Sequence, residues 1–287
     1  MAGNDPRMPR SYISDTRPKE HRMLEANGNG NGINVKDMTP QAYEPRMPPK
    51  RSEVIAQRIV KDIRTRGLRP GDPLATETEM CASHSVGRST LREGLRILEL
   101  LGVIEIRPGR GGGPIVAAPN SRHLASTMAL LMQFSETTFR SVIELRGYIE
   151  PIAASLCAVH RDEQTVLALK ESVASMRADI DDEATFLHEN HQFHTLVATG
   201  ANNPLITYIS NSLDWVLDGA PLGVQFTRTA RRSVLAVHEA ICQTIAAGQP
   251  TAAGEAMERH MVETAKYFEK KFPTVMRQVV TWELYGL

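Results

Sequence analysis

Three histidines in the C-terminal half of this 287-residue chain, His194, His238 and His260, each lie on or beside the apolar face of a helical pattern. In the first of these segments Phe186, Asn190, Phe193 and Val197 share one stripe, and His194 sits at its edge, one turn after Asn190. His238 lies among the apolar residues of Val234-Leu235-Ala236-Val237-His238-Glu239-Ala240-Ile241, and His260 lies in Ala256-Met257-Glu258-Arg259-His260-Met261. A lone helical histidine is usually a core or surface residue. Imidazoles that converge from separate helical turns, joined by an oxygen donor, suit Zn²⁺, Ni²⁺ or a similar ion. Spacing does not choose between Asn190 and His191, which are both within a turn of His194.

Arg146 is a second chemical signal. It lies between Val142 and Ile149 on the apolar side of its helix, where a guanidinium needs a partner. A salt bridge to Glu150, four residues on, and a grip on a ligand carboxylate satisfy the spacing equally well.

A third constellation lies upstream, in Glu77 to Arg96. A short helix and a tight turn at Ser85-Val86-Gly87 lead into a second helix, whose Leu91, Leu95 and Leu98 fall at i, i+4, i+7. Arg88, Ser89, Thr90, Arg92 and Arg96 are set off from that stripe. A helix anchored by leucines and presenting arginines and hydroxyls near its N-terminus fits the DNA major groove. Two short apolar runs, Val103 to Ile106 and Ile115-Val116, flank the basic, Gly-rich loop Arg107-Pro108-Gly109-Arg110-Gly111-Gly112-Gly113. They read as a hairpin wing, in which Arg107, Gly109 and Arg110 can approach a phosphate or the minor groove.

The elements that position these residues form two expected domains behind a tail. Residues 1–48 hold an Asn-Gly run, six prolines, and nearly balanced charge, and are expected to be a disordered extension. Residues 49–118 read as the winged helix-turn-helix. Residues 121–272 read as an all-α bundle, with apolar residues at 3–4 spacing near 121–134, 137–159, 162–180, 183–199, 204–219, 229–248 and 250–271. Residues 273–287 are set apart as a C-terminal extension. The fold class is therefore mainly α, with a small β-hairpin. The formal net charge is zero, but residues 50–118 carry twelve Lys+Arg against eight Asp+Glu, while 121–272 carry thirteen against eighteen. The basic excess falls on the segment assigned to DNA. Cys81, Cys157 and Cys242 form no ligand spacing and read as small buried hydrophobes in a reducing compartment. With no apolar run long enough for a membrane and no secretion signal, the expected location is the cytoplasm.

The DNA-directed half resembles the GntR family of bacterial transcription regulators. The resemblance is carried by Gly67-Leu68-Arg69-Pro70-Gly71-Asp72-Pro73-Leu74, Glu77-x-Glu79, Arg88-Ser89-Thr90-Leu91-Arg92-Glu93 and Pro108-Gly109-Arg110-Gly111-Gly112. Gly87, Thr78 and Pro114 depart from the usual residues. The bundle resembles the FCD effector domain of the FadR-type subfamily. It does so through Glu144-Leu145-Arg146-Gly147-Tyr148-Ile149-Glu150-Pro151, Asn190-His191-Gln192-Phe193-His194 with Gly200-x-x-Asn203, His238-x-x-Ile241, and His260. That resemblance implies one divalent metal ion per chain, zinc or nickel, on Asn190, His194, His238 and His260, with His188 and His191 left out. Asn190 stands where Asp is commoner. A neutral amide with three neutral imidazoles would leave the ion's charge uncompensated and attractive to an anion. The resemblance also favours Arg146 as a contact to an effector carboxylate.

Together these features lead to the expectation of a homodimeric regulator, a repressor, binding an inverted-repeat operator in double-stranded DNA and controlled by a small carboxylate effector. It would have no membrane association and no catalytic residues. A direct sensor of metal ions is one competing reading. A metal-dependent enzyme is the other, but it would leave the helix-turn-helix unexplained and lacks a motif-placed general base.

Overall fold

The computed structural model describes residues 48–109, 112–118, 120–217 and 223–285. The expected tail falls outside this range except for Pro48, as do Arg110 and Gly111 of the wing.

The head begins with α1 (Arg51–Thr65), α2 (Glu77–His84) and α3 (Arg88–Leu100). It ends in an antiparallel hairpin of β1 (Ile104–Arg107) and β2 (Gly113–Val116), in which Ile104 pairs with Val116 and Arg107 with Gly113. Its core joins Ile55, Ile59 and Ile63 of α1 to Met80 of α2 and to Leu91, Leu95 and Leu98 of α3, closed by Ile104 and Val116. The leucine stripe thus fixes α3 by one face and leaves the other outward. α2 starts on a capping box that hydrophobic periodicity does not reveal: the Glu79 N–H donates to the Thr76 hydroxyl, and the Thr76 N–H donates to the Glu79 carboxylate. The turn before α3 puts Ser85, not Gly87, in the left-handed region, at φ 54°. Gly87 serves as an N-cap without a side-chain hydrogen bond. In the wing, a Cβ on Gly112 would lie 2.2 Å from the Arg107 carbonyl oxygen, so the hairpin closes only with glycine there.

The bundle runs α4 (Arg122–Phe134), α5 (Phe139–His160), α6 (Glu163–Ala178), α7 (Glu183–Gly200), α8 (Pro204–Val216), α9 (Arg228–Ala246), α10 (Pro250–Lys271) and α11 (Pro273–Arg277), with a final 3₁₀ turn, Trp282–Tyr285. Side chains of Asp162, Asp182, Asn203 and Thr227 cap α6, α7, α8 and α9. The long helix α5 is central and packs against α7, α8, α9 and α10. The main core includes Cys157, Leu169, Met176, Phe186, Phe193, Ile241, Ile245 and Met257. Cys157 and Cys242 are buried free thiols, and burial pushes the Cys157 thiol up to about 12, as expected of an inert core cysteine.

The segment set apart as an extension is built into a second core. Val280 packs with Ala129, Phe139, Val142, Leu213 and Val216. Val279 forms a bridge with Thr138, and the Trp282 indole N–H donates to the Ser126 hydroxyl at 2.7 Å. No helix among the described residues is long and apolar enough to cross a membrane.

Candidate functional site

α7, α9 and α10 bring His194, His238 and His260 together, with one ring nitrogen of each within 4.8 Å of the others. All three are buried. The Nε2 atoms of His238 and His260 are 3.3 Å apart. Two nitrogens bound at about 2.0–2.1 Å to one tetrahedral ion sit about 3.3–3.4 Å from each other. The His238 ring lies flat on Phe193, with centroids 4.0 Å apart and planes 12° apart, and this holds its orientation. Its Nδ1 finds no hydrogen-bond partner among the described residues. Burial, reinforced by the neighbouring histidines, drives the His238 pKa well below the ordinary imidazole range and lowers that of His260 to about 3. Both are therefore neutral near pH 7, the form that ligates metal. Spacing, donor set and protonation fit a divalent cation.

A buried ion network lies against this cluster. Glu150 rests against Nδ1 of His194 through one carboxylate oxygen and against Arg146 through the other. The Arg146 guanidinium also pairs with Asp214 on α8 at 2.7 Å. Burial raises the cost of the Glu150 charge, yet Arg146 and His194 hold its carboxyl down to about 2. Asp214 is pushed up, mainly by burial and further by Glu150, against the pull of Arg146. Burial also opposes the Arg146 charge, but Asp214 and Glu150 outweigh it and raise its pKa. A carboxylate on the far nitrogen of a histidine fixes the ring and strengthens it as a ligand. Glu150 thus stands directly behind His194 while it is paired with Arg146.

A cavity of about 480 Å³ opens from the cluster, lined in part by Arg146, Asn190, His194, Asp214 and His260. His188 and His191 line it too. The three imidazoles thus converge, and Asn190 and His191 share the wall beside them. Arg146 is in the wall with two protein carboxylates already on it. Asp214 and the support of His194 by Glu150 are the features that helical spacing could not supply.

On the head, Arg88, Ser89, Arg92 and Arg96 are exposed along α3, and Thr90 is half-buried. Arg92 pairs with Glu77 of α2 at 2.9 Å, a surface contact that leaves it 67 % exposed and easily exchanged for another partner. Arg107 and Gly109 are exposed in the wing, whereas Arg110 lies outside the described residues.

Residues 51–112 match the family described as bacterial regulatory proteins, gntR family, and residues 141–263 match the FCD domain. The chain is 28 % identical over 185 residues to the HTH-type transcriptional repressor NanR of Edwardsiella tarda, covering 62 % of this chain and 69 % of that one. It is 26 % identical over 212 residues to the HTH-type transcriptional regulator LutR of Bacillus subtilis, covering 71 % of this chain and 96 % of the other. Among solved structures, Streptococcus agalactiae GntR shares the fold with a TM-score of 0.59 at 21 % identity, over 75 % of this chain and 99 % of that one.

Proposed function

For a chain that belongs to the GntR family of bacterial transcription regulators and carries an FCD domain behind its DNA-binding head, we propose that it is a repressor whose hold on operator DNA is set by a small organic acid bound beside a divalent metal ion. DNA binding by the winged helix is the family's activity, and the relatives are regulators rather than enzymes.

The observation that carries the effector reading is the cavity that opens from the three-histidine cluster. His194, His238 and His260 would hold zinc or nickel, with Asn190 as the oxygen donor on the same wall. The ion, when bound, supplies positive charge and open positions for a carboxylate oxygen. The chain's own residues do the rest. Glu150 orients His194, Phe193 orients His238, and Arg146 ties α5 to α8 through Asp214. The cavity walls come from α5, α7, α8, α9 and α10, and α5 packs on each of the others, so a ligand seated there acts on their packing. The ligand alters operator affinity to the extent that it prefers one arrangement of those helices.

A homodimer is part of the reading, since an inverted repeat needs two heads. It is supported by an exposed apolar stripe on α5, formed by Leu145, Tyr148, Ile152 and Val159 at helical spacing. The test is operator binding by fluorescence anisotropy with metal-loaded protein, with and without candidate acids, repeated after chelation. An acid should shift the operator affinity, and chelation should remove that shift. Operator affinity indifferent to every acid with the metal in place would overturn the reading.

A further inference from the structure

The cavity is not equally polar along its length. Two helices line it from end to end in opposite directions. α7 contributes Ala184, Leu187, Asn190 and His194, and α10 contributes Phe268, Thr264, Met261 and His260. Two cross-contacts fix the directions. At one end the rings of His194 and His260 lie 5.4 Å apart. At the other, the N–H of Phe226 donates to Glu183, the first residue of α7, while the Phe226 ring lies 5.9 Å from that of Phe268. Counted along either helix at 1.5 Å per residue, the two ends are about 12–15 Å apart. Arg146, Asp214 and the imidazoles occupy the first end. Leu187, Val224, Phe226 and Phe268 wall the second, with His188, Thr264 and Val234 between. Among the described lining residues Arg146 is the lone Lys or Arg.

We propose that the effector is an amphiphilic monocarboxylic acid, with its carboxylate at the histidine end and an apolar tail laid along α7 and α10 against Leu187, Phe226 and Phe268. This rests on the effector-controlled reading above and narrows it. A two- or three-carbon hydroxy acid would leave most of the 480 Å³ unfilled, a volume that suits a drug-sized ligand. A sugar acid would set its hydroxyls against carbon walls that return few hydrogen bonds. A dicarboxylate would bring its second charge to the aromatic end, where no lining Lys or Arg meets it.

The test is calorimetric titration of the full chain, loaded with zinc, with straight-chain acids from acetate to decanoate and with phenylalkanoic acids. Lactate, gluconate, adipate and octanol serve as comparisons. Affinity should rise about fourfold per methylene until the cavity is filled. Lactate, gluconate and adipate should bind at least tenfold more weakly than the best tailed acid, as should octanol, which lacks the head. The straight-chain and phenyl series then tell an alkyl tail from an aryl one. Phe268→Asp should flatten the chain-length dependence, with its melting temperature measured to confirm folding. Because Phe268 is half-buried, Val234→Asp provides a second variant from a different helix. A flat chain-length series, or tighter binding of lactate or gluconate than of any tailed acid, overturns this inference and leaves a regulator with a polar effector. Absence of binding by every acid overturns both this inference and the reading beneath it.

Discussion

His238 and His260 face each other through Nε2 atoms 3.3 Å apart, although one belongs to α9 and the other to α10. Two buried neutral imidazoles can share that gap by one donating a proton to the other, or both can turn their lone pairs to a cation. The third imidazole, from α7, has no part in such a pair and is the feature that supports the proposed cation. Glu150 takes the Nδ1 side of His194, which leaves Nε2 as the ring nitrogen for an ion. A carboxylate behind a histidine and three converging rings suit the proposed ligand set, whereas a hydrogen-bonded pair would need no third member.

The first prediction is metal content. The purified protein is expected to hold close to one divalent ion per chain by mass spectrometry of metals. His194→Ala, His238→Ala and His260→Ala should each lose it, while His191→Ala keeps it. Loss in His191→Ala with retention in Asn190→Ala would transfer the oxygen-donor position away from Asn190.

The second concerns Glu150. Glu150→Gln keeps an oxygen for the His194 N–H but removes the charge. Metal affinity, measured by competition with a chromophoric chelator, should fall about 10–100-fold, the usual effect of losing a carboxylate behind a metal-bound histidine. An unchanged affinity would make Glu150 a plain partner of Arg146.

Much of this was legible in the sequence because helical periodicity records which residues face a core. Leu91, Leu95 and Leu98 marked the inner face of α3, and the histidines stood out as polar residues on apolar stripes of α7, α9 and α10. What periodicity cannot record is the pairing of distant helices. Glu150 could be seen as a neighbour of Arg146 on α5, but not as the carboxylate behind His194 on α7. Asp214 sits on α8 in an apolar run that gives no hint of Arg146. The burial of Val280 was also hidden, since its segment is too short for a period and is held by contacts with α4, α5 and α8. The choice of Asn190 over His191 came from family resemblance, and both line the cavity.

The third prediction concerns the head. Arg92→Ala should weaken specific operator binding by about 1–3 kcal/mol if its guanidinium, freed from Glu77, reads a guanine. The melting temperature should hardly change, because an exposed ion pair contributes little. Arg107→Ala should weaken binding about equally on operator and random DNA and reduce the salt slope by about one. Wild-type operator affinity in Arg92→Ala would remove that residue from the recognition face.

The fourth tests the exposed stripe on α5. Ile152→Glu places a charge in the middle of Leu145, Tyr148 and Val159. In light scattering the mass should fall from that of a dimer to that of one chain, and operator binding should weaken with it. A dimer that survives Ile152→Glu and Tyr148→Glu together would place the interface elsewhere.

The last prediction concerns Arg146, which lines the cavity while bound to Glu150 and Asp214. Its removal strands two buried carboxylates, so Arg146→Ala should lose about 3–5 kcal/mol of stability, read from denaturant melts. That loss alone would not show what Arg146 does for a ligand. Pairing Arg146→Gln with Asp214→Asn takes out one charge of each sign, leaves Glu150 on His194, and should recover a large part of the stability. If Arg146 also contacts the effector carboxylate, the double variant should still bind the acid more weakly by about 1.5–3 kcal/mol, the worth of one charge-assisted hydrogen bond. Its metal content and operator affinity should match the wild type. A stable double variant that binds the acid as tightly as the wild type would limit Arg146 to holding Glu150 and Asp214 in place, and the carboxylate would then rest on the histidine-bound ion alone.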